Sequence, residues 1–149
     1  MVFLLLGLGL ALLFAAFTDI RRRQIDNWLT ASIAVTAPLF WWASSLGWIA
    51  IGWQTGLALG SFALLCLPFA LRMMGGGDVK LLSALALWIR PAWFADLLVI
   101  MALVGGVLTI GSVFWHVTRR QRDRIAIPYG VAIAAAGLWI VTVDYLPGL

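Results

Sequence analysis

Six apolar runs, separated by connections too short to fold on their own, leave this chain almost no choice of solvent. They cover residues 2–17, 28–44, 48–71, 79–89, 93–115 and 127–145 of 149. Hydrophobic residues make up 64% of the sequence and charged ones 11%, against roughly half and a quarter in soluble domains. Mean hydropathy is +1.05. At ~20 residues per span, six helices use most of the chain. Hydrocarbon offers a backbone no hydrogen-bonding partner, so the spans must be helices that satisfy themselves. The expected architecture is all-α: a single transmembrane domain over residues 1–149, a bundle of about six helices with no room for a soluble domain.

The runs are not equal. Val79 to Ile89 would rise only ~16 Å as a helix, against a hydrocarbon core of ~30 Å, so the fourth helix is expected to be a partial span. Just before it stands Gly75-Gly76-Gly77, which fits a turn lying below the membrane surface, because glycine admits φ > 0 and close approach of another chain. Gly52, Gly56 and Gly60 recur every four residues in the third run, and Gly105 and Gly106 lie in the fifth; such spacing lets membrane helices touch backbones. Pro68 predicts a kink near the end of the third helix. The first run has no basic residue ahead of it and no small-residue cleavage site after it, so it is expected to be a retained helix. Cys66, the lone cysteine, can form no internal disulfide and reads as a small core residue.

The net charge of +4 does not point to nucleic acid, because the basic residues punctuate loops rather than cluster on a folded face. With the N-terminus outside, nine of the ten Lys and Arg residues fall on the cytoplasmic side: Arg21–Arg23, Arg72, Lys80, Arg119, Arg120, Arg122 and Arg124. Arg90 alone falls outside. The positive-inside rule therefore predicts a multi-pass protein of the bacterial cytoplasmic membrane in that orientation. Trp41, Trp42, Trp48, Trp53, Trp88, Trp93 and Trp139 fall near the outer ends of the spans, as an interfacial belt would.

Asp19, expected to end the first helix, and Asp78, expected to begin the fourth, then share the cytoplasmic side. Ionisable groups at membrane depth are costly and mark functional sites by default. Two carboxyls held together can share one proton, the ionised one drawing a proton from water while the other donates a hydrogen bond to a scissile carbonyl. That chemistry needs no metal or other cofactor. The sequence also lacks the usual substitutes: glutamate is absent and His116 is the only histidine. Plain structural roles remain open for the aspartates: Asp78 as an N-cap, Asp19 as a partner of Arg22 or Arg23, and Asp26 as a cap of the second helix together with Asn27. Asp96, Asp123 and Asp144 read as surface residues. A proton-coupled small transporter, in which membrane aspartates relay protons, is an alternative.

Three segments resemble type IV prepilin peptidases, a family of membrane aspartic proteases. Gly75-Gly76-Gly77-Asp78-Val79-Lys80-Leu81 is similar to the family's Gly-x-Gly-Asp-x-Lys-Leu signature. The segment from Asp19 to Asn27 resembles its first motif, and Ile127-Pro128-Tyr129-Gly130-Val131-Ala132-Ile133 the start of its last helix. Asp26 stands where the family usually has proline. The resemblance implies that Asp19 and Asp78 are the catalytic pair, with Gly75, Gly76, Gly77 and Lys80 forming a substrate-facing loop. It implies a prepilin substrate, a hydrophobic helix whose short basic leader is cut after a glycine at the cytoplasmic membrane face. The cysteine-rich insertion and N-terminal extension of the larger, N-methylating members are not seen, which points to the small, peptidase-only type that serves Flp/Tad pili. A related peptidase of preflagellins or other signal-type peptides is the neighbouring alternative. Oligomeric state is not legible.

Overall fold

A computed structural model describes residues 1–119 and 129–145, all but the connections in helices. Helix α1 spans Val2–Arg22, α2 Asn27–Ala43, α3 Trp48–Ala70, α4 Gly76–Ala86, α5 Pro91–Arg119 and α6 Tyr129–Ile140, and a π-helical turn, Val141–Tyr145, continues α6. Val2–Arg22, Trp48–Ala70 and Pro91–Phe114 are long and apolar enough to cross a membrane. Residues 120–128, with Asp123 and most of the basic stretch, lie outside the described residues, as do the side chains of His116 and Arg119.

The expected all-α bundle with a short fourth helix is what forms, and its centre is made by its shortest members. Seven of the eleven residues of α4 and seven of the twelve of α6 are buried, whereas α3 buries only Gln54 and Ala58. Lipid tails are as apolar as leucine, so close packing rather than hydrophobicity selects the faces that meet. α6 can be central because it is built of Gly130, Ala132, Ala134, Ala136 and Gly137. A Cβ on Gly137 would come within 2.8 Å of Leu12 and 3.4 Å of Leu85, so that residue lets α1, α4 and α6 meet. α6 packs on α1, α4 and α5, while α4 also carries α2 and α3.

At the end of the bundle away from the aspartates, indole and phenol groups pin the helix ends. Trp88 Nε1 donates to the carbonyl of Ile33 at 2.7 Å, Trp41 Nε1 to that of Leu87 at 2.7 Å, and the Tyr145 hydroxyl to that of Trp88 at 2.6 Å. Trp88 is only 2% exposed and stacks on Phe40. It belongs to the core, not to the interfacial belt expected of it; Trp42, Trp48, Trp53 and Trp139 are exposed as a belt requires. Gln54, also buried here, has no hydrogen-bond partner among the described residues and lines a cavity of about 360 Å³ with Arg90 and Asp144.

The glycine spacing of α3 does not serve packing among the described residues. A Cβ on Gly52, Gly56 or Gly60 would meet nothing within 4 Å. On α5 the expectation divides: Gly105 faces Tyr129 and Ala132 of α6, whereas Gly106 faces open space.

Candidate active site

Both aspartates end buried stripes that run the length of their helices. On α1 the buried residues are Leu5, Leu8, Leu12, Ala15, Thr18 and Asp19, so Asp19 takes the next inward position after Ala15. On α4 the stripe runs Asp78, Leu81, Leu82, Leu85, so Asp78 is the first inward residue of that helix. The side chains are thereby aimed at the bundle axis, and burial leaves Asp19 6% and Asp78 9% exposed. α1 runs five residues past the apolar run, which puts Asp19 in its last full turns. The helix closes on Arg23 in the left-handed conformation (φ 53°), whose N–H donates to the carbonyl of Asp19 at 2.8 Å.

One cavity of about 450 Å³ contains both carboxyl groups, together with Arg23 to Asn27 and Gly75 to Gly77. The two carboxyls lie within electrostatic reach of each other. Asp19 Oδ2 accepts the backbone N–H of Val131 at 3.3 Å, with the amide of Gly130 beside it. These are first-turn amides of α6, which have no partner inside their own helix. Asp19 thus meets the carbonyl end of α1 and the amide end of α6, helix ends of opposite sign. The plain ion-pair role with Arg22 or Arg23 gives way to this backbone contact, although Arg23 remains in electrostatic range.

Asp78 is the third residue of α4 and not its N-cap, which is Gly75. Its carboxylate bends back to the N–H of Gly75, the reciprocal half of a capping box. Asp26 is the N-cap of α2, but its side chain makes no capping hydrogen bond.

The three glycines are explained by contact, not by conformation: no glycine in the described residues has positive φ. A Cβ on Gly75 would stand 2.9 Å from Asp78 Oδ2, on Gly76 3.1 Å from the ring of Phe69, and on Gly77 3.0 Å from Ile25 Cβ and 3.3 Å from its backbone N and O. Each glycine admits a different neighbour: the carboxylate, α3, and the α1–α2 connection. Gly130 repeats the device, since its Cβ would lie 2.7 Å from Asp19 Oδ2 and 2.8 Å from Ile25 Cδ1. Ile25 therefore wedges between the first turns of α4 and α6. Lys80 does not line this cavity with the glycines. It lines a neighbouring groove instead, and its ammonium donates to Asn27 Oδ1 at 2.9 Å.

Residues 6–110, which hold both aspartates, match the type IV leader peptidase family. The chain belongs to that family. Among curated proteins it is similar to the prepilin leader peptidase/N-methyltransferase of Xanthomonas campestris pv. campestris, at 41% identity over 68 residues. The match takes in 46% of this chain and spans 22% of the relative's length. No solved structure matches the chain. Within the family match lie α2 to α4 and most of α1 and α5. The α6 amides that hold Asp19 lie beyond it, and of the residues the sequence left unassigned, Ile25 lines the cavity while Gly130 and Val131 position Asp19. Their only advance signal was their place inside the first and last resembling motifs.

Proposed function

We propose that this member of the leader peptidase family is an aspartic endopeptidase that removes the short basic leader of an Flp-like type IV prepilin at the cytoplasmic face of the membrane. The observation that carries the reading is the meeting of Asp19 and Asp78 in one cavity, brought there by two different helices. One carboxylate takes a proton from a water molecule as it attacks the scissile carbonyl, while the other, protonated, donates to the carbonyl oxygen; on collapse the proton taken from water passes to the departing amine and the second carboxyl recovers its own. The pair titrates as a unit, so neither residue owns the proton. Family membership favours this over a proton-relaying transporter. The orientation rests on the basic residues: Arg21, Arg22, Arg23, Arg72 and Lys80 gather at the aspartate end, and Arg90 lies at the other, an asymmetry that supports a cytoplasmic cavity.

The test is cleavage of a co-expressed Flp-type prepilin. Asp19→Asn and Asp78→Asn should each abolish processing while the protein still accumulates in the membrane, and Asp26→Asn should retain most of it. Normal processing by either of the first two removes the pair from catalysis. A cysteine beside Gly47 should be labelled only from outside; labelling from within reverses the orientation.

A further inference from the structure

α2 and α3 both lie against α4 but share no extensive seam with each other. Between them runs a groove of about 470 Å³ with α4 as its floor. It spans Asn27 to Ala34 on α2, Thr55 to Phe62 on α3 and Lys80 to Leu87 on α4, and in all three the lining residues follow the i, i+3, i+4, i+7 spacing of a single helical stripe. Three parallel stripes of two turns each make a trough about 10 Å long.

Five of its twelve lining residues are polar, Asn27, Thr30, Thr55, Lys80 and Ser83, but two of the hydroxyls turn away from it. The hydroxyl of Thr30 turns back to the carbonyl of Asn27 at 3.0 Å, and that of Ser83 to the carbonyl of Val79 at 2.8 Å. Neither needs a hydrogen bond from an occupant. Alanines recess the walls and floor, at Ala31, Ala34, Ala58 and Ala84. Beside the trough, round the surface of α3, lie Gly52, Gly56 and Gly60, where an added Cβ would meet nothing within 4 Å among the described residues, and which offer a ledge against which a backbone can lie closely.

Only one end carries a charged side chain. There Lys80 and Asn27 are hydrogen-bonded, and Asn27 lines both the groove and the carboxylate cavity. A chain leaving the groove at that end enters the space beside Asp19 and Asp78. Resting on the function proposed above, the geometry points to this groove as the seat of the substrate's apolar helix, laid along α4 with its cut end at Lys80. The catalytic cavity then receives the extended segment that precedes the helix.

The experiment uses the full chain in liposomes with two synthetic probes. One carries leader, junction and apolar helix; the other carries leader and junction only. The readout is the ratio of their cleavage rates. Ala31→Trp and Ala34→Trp, which fill the trough from α2, should each lower that ratio at least tenfold, and Val107→Trp, on the exposed face of α5, should leave it unchanged. In a Cys66→Ser, Asp78→Asn background, a cysteine at Leu59 should cross-link to one in the helix of the long probe, and a cysteine at Val107 should not. An unchanged ratio in both alanine variants, as expected if the groove holds only lipid, overturns the proposal, and so does equal cross-linking at Leu59 and Val107. Cleavage of neither probe by the unaltered protein overturns the peptidase reading instead, and the cross-link alone then decides whether a helix docks here.

Discussion

Lys80 Nζ and Asn27 Oδ1, 53 residues apart in sequence, meet at 2.9 Å and tie the first turn of α2 to the second turn of α4. The bond sits where the carboxylate cavity adjoins the neighbouring groove. Being exposed, it should add little to stability, about 1 kcal/mol or less. Its value is positional. Lys80→Met and Asn27→Ala are expected to slow prepilin processing several-fold each, and the double variant to be no slower than the worse single one. Additive losses in that cycle would show that the two side chains act separately.

Gly130→Ala should reduce processing by at least tenfold at matched protein level. The added methyl would stand 2.7 Å from Asp19 Oδ2 and 2.8 Å from Ile25, so the carboxylate must leave its position against the α6 amides. Gly105→Ala is the comparison. Its nearest neighbour would be Tyr129 at 3.6 Å, an ordinary contact, and processing should stay near normal.

Gly77→Val should impair processing far more than Gly105→Val. The reason is the approach of the α1–α2 connection, whose backbone at Ile25 lies 3.3 Å from where the new Cβ would be; a backbone cannot rotate aside as a flexible side chain can. Equal activity in the two variants would show that the first turn of α4 tolerates displacement.

Much of this was open to reading in the sequence, and the remainder failed for identifiable reasons. Apolar runs located all six helices because hydrocarbon requires them. They missed the last turn of α1, since Thr18, Asp19, Arg21 and Arg22 are polar although the inward spacing from Leu5 to Ala15 predicts Asp19 as its next member. The three glycines read as a turn before Asp78, whereas Gly76 and Gly77 are the first two residues of α4 and lie close to Phe69 and Ile25. The stripe of Gly52, Gly56 and Gly60 showed a smooth face but not what lies against it. Trp88 looked interfacial, because nothing local reveals that Ile33 will accept its N–H. Most hidden were the amides of Gly130 and Val131, since a backbone donor has no side-chain signature.

Tyr145→Phe should destabilise the bundle by about 1–3 kcal/mol, because the carbonyl of Trp88 loses its buried donor. The same hydroxyl also accepts the N–H of Arg90 at 3.2 Å. Thermal unfolding in detergent measures the loss. The carboxylate cavity lies at the opposite end of the bundle, so processing at low temperature should be close to normal; a large catalytic defect in a folded variant would show that the two ends are coupled.

The contact between Asp19 and the N–H of Val131 crosses 112 residues, and it gives biosynthesis an order. A nascent chain that has emerged as far as α5 already contains both aspartates, Ile25 and the three glycines, yet nothing seals the inner face of α1 or supplies the amides for its carboxylate. α6 leaves the ribosome long after α1, yet it completes that earlier helix's site. Membrane insertion of α6 is therefore a maturation step, and until it happens the two acidic groups are only neighbours in a half-built bundle.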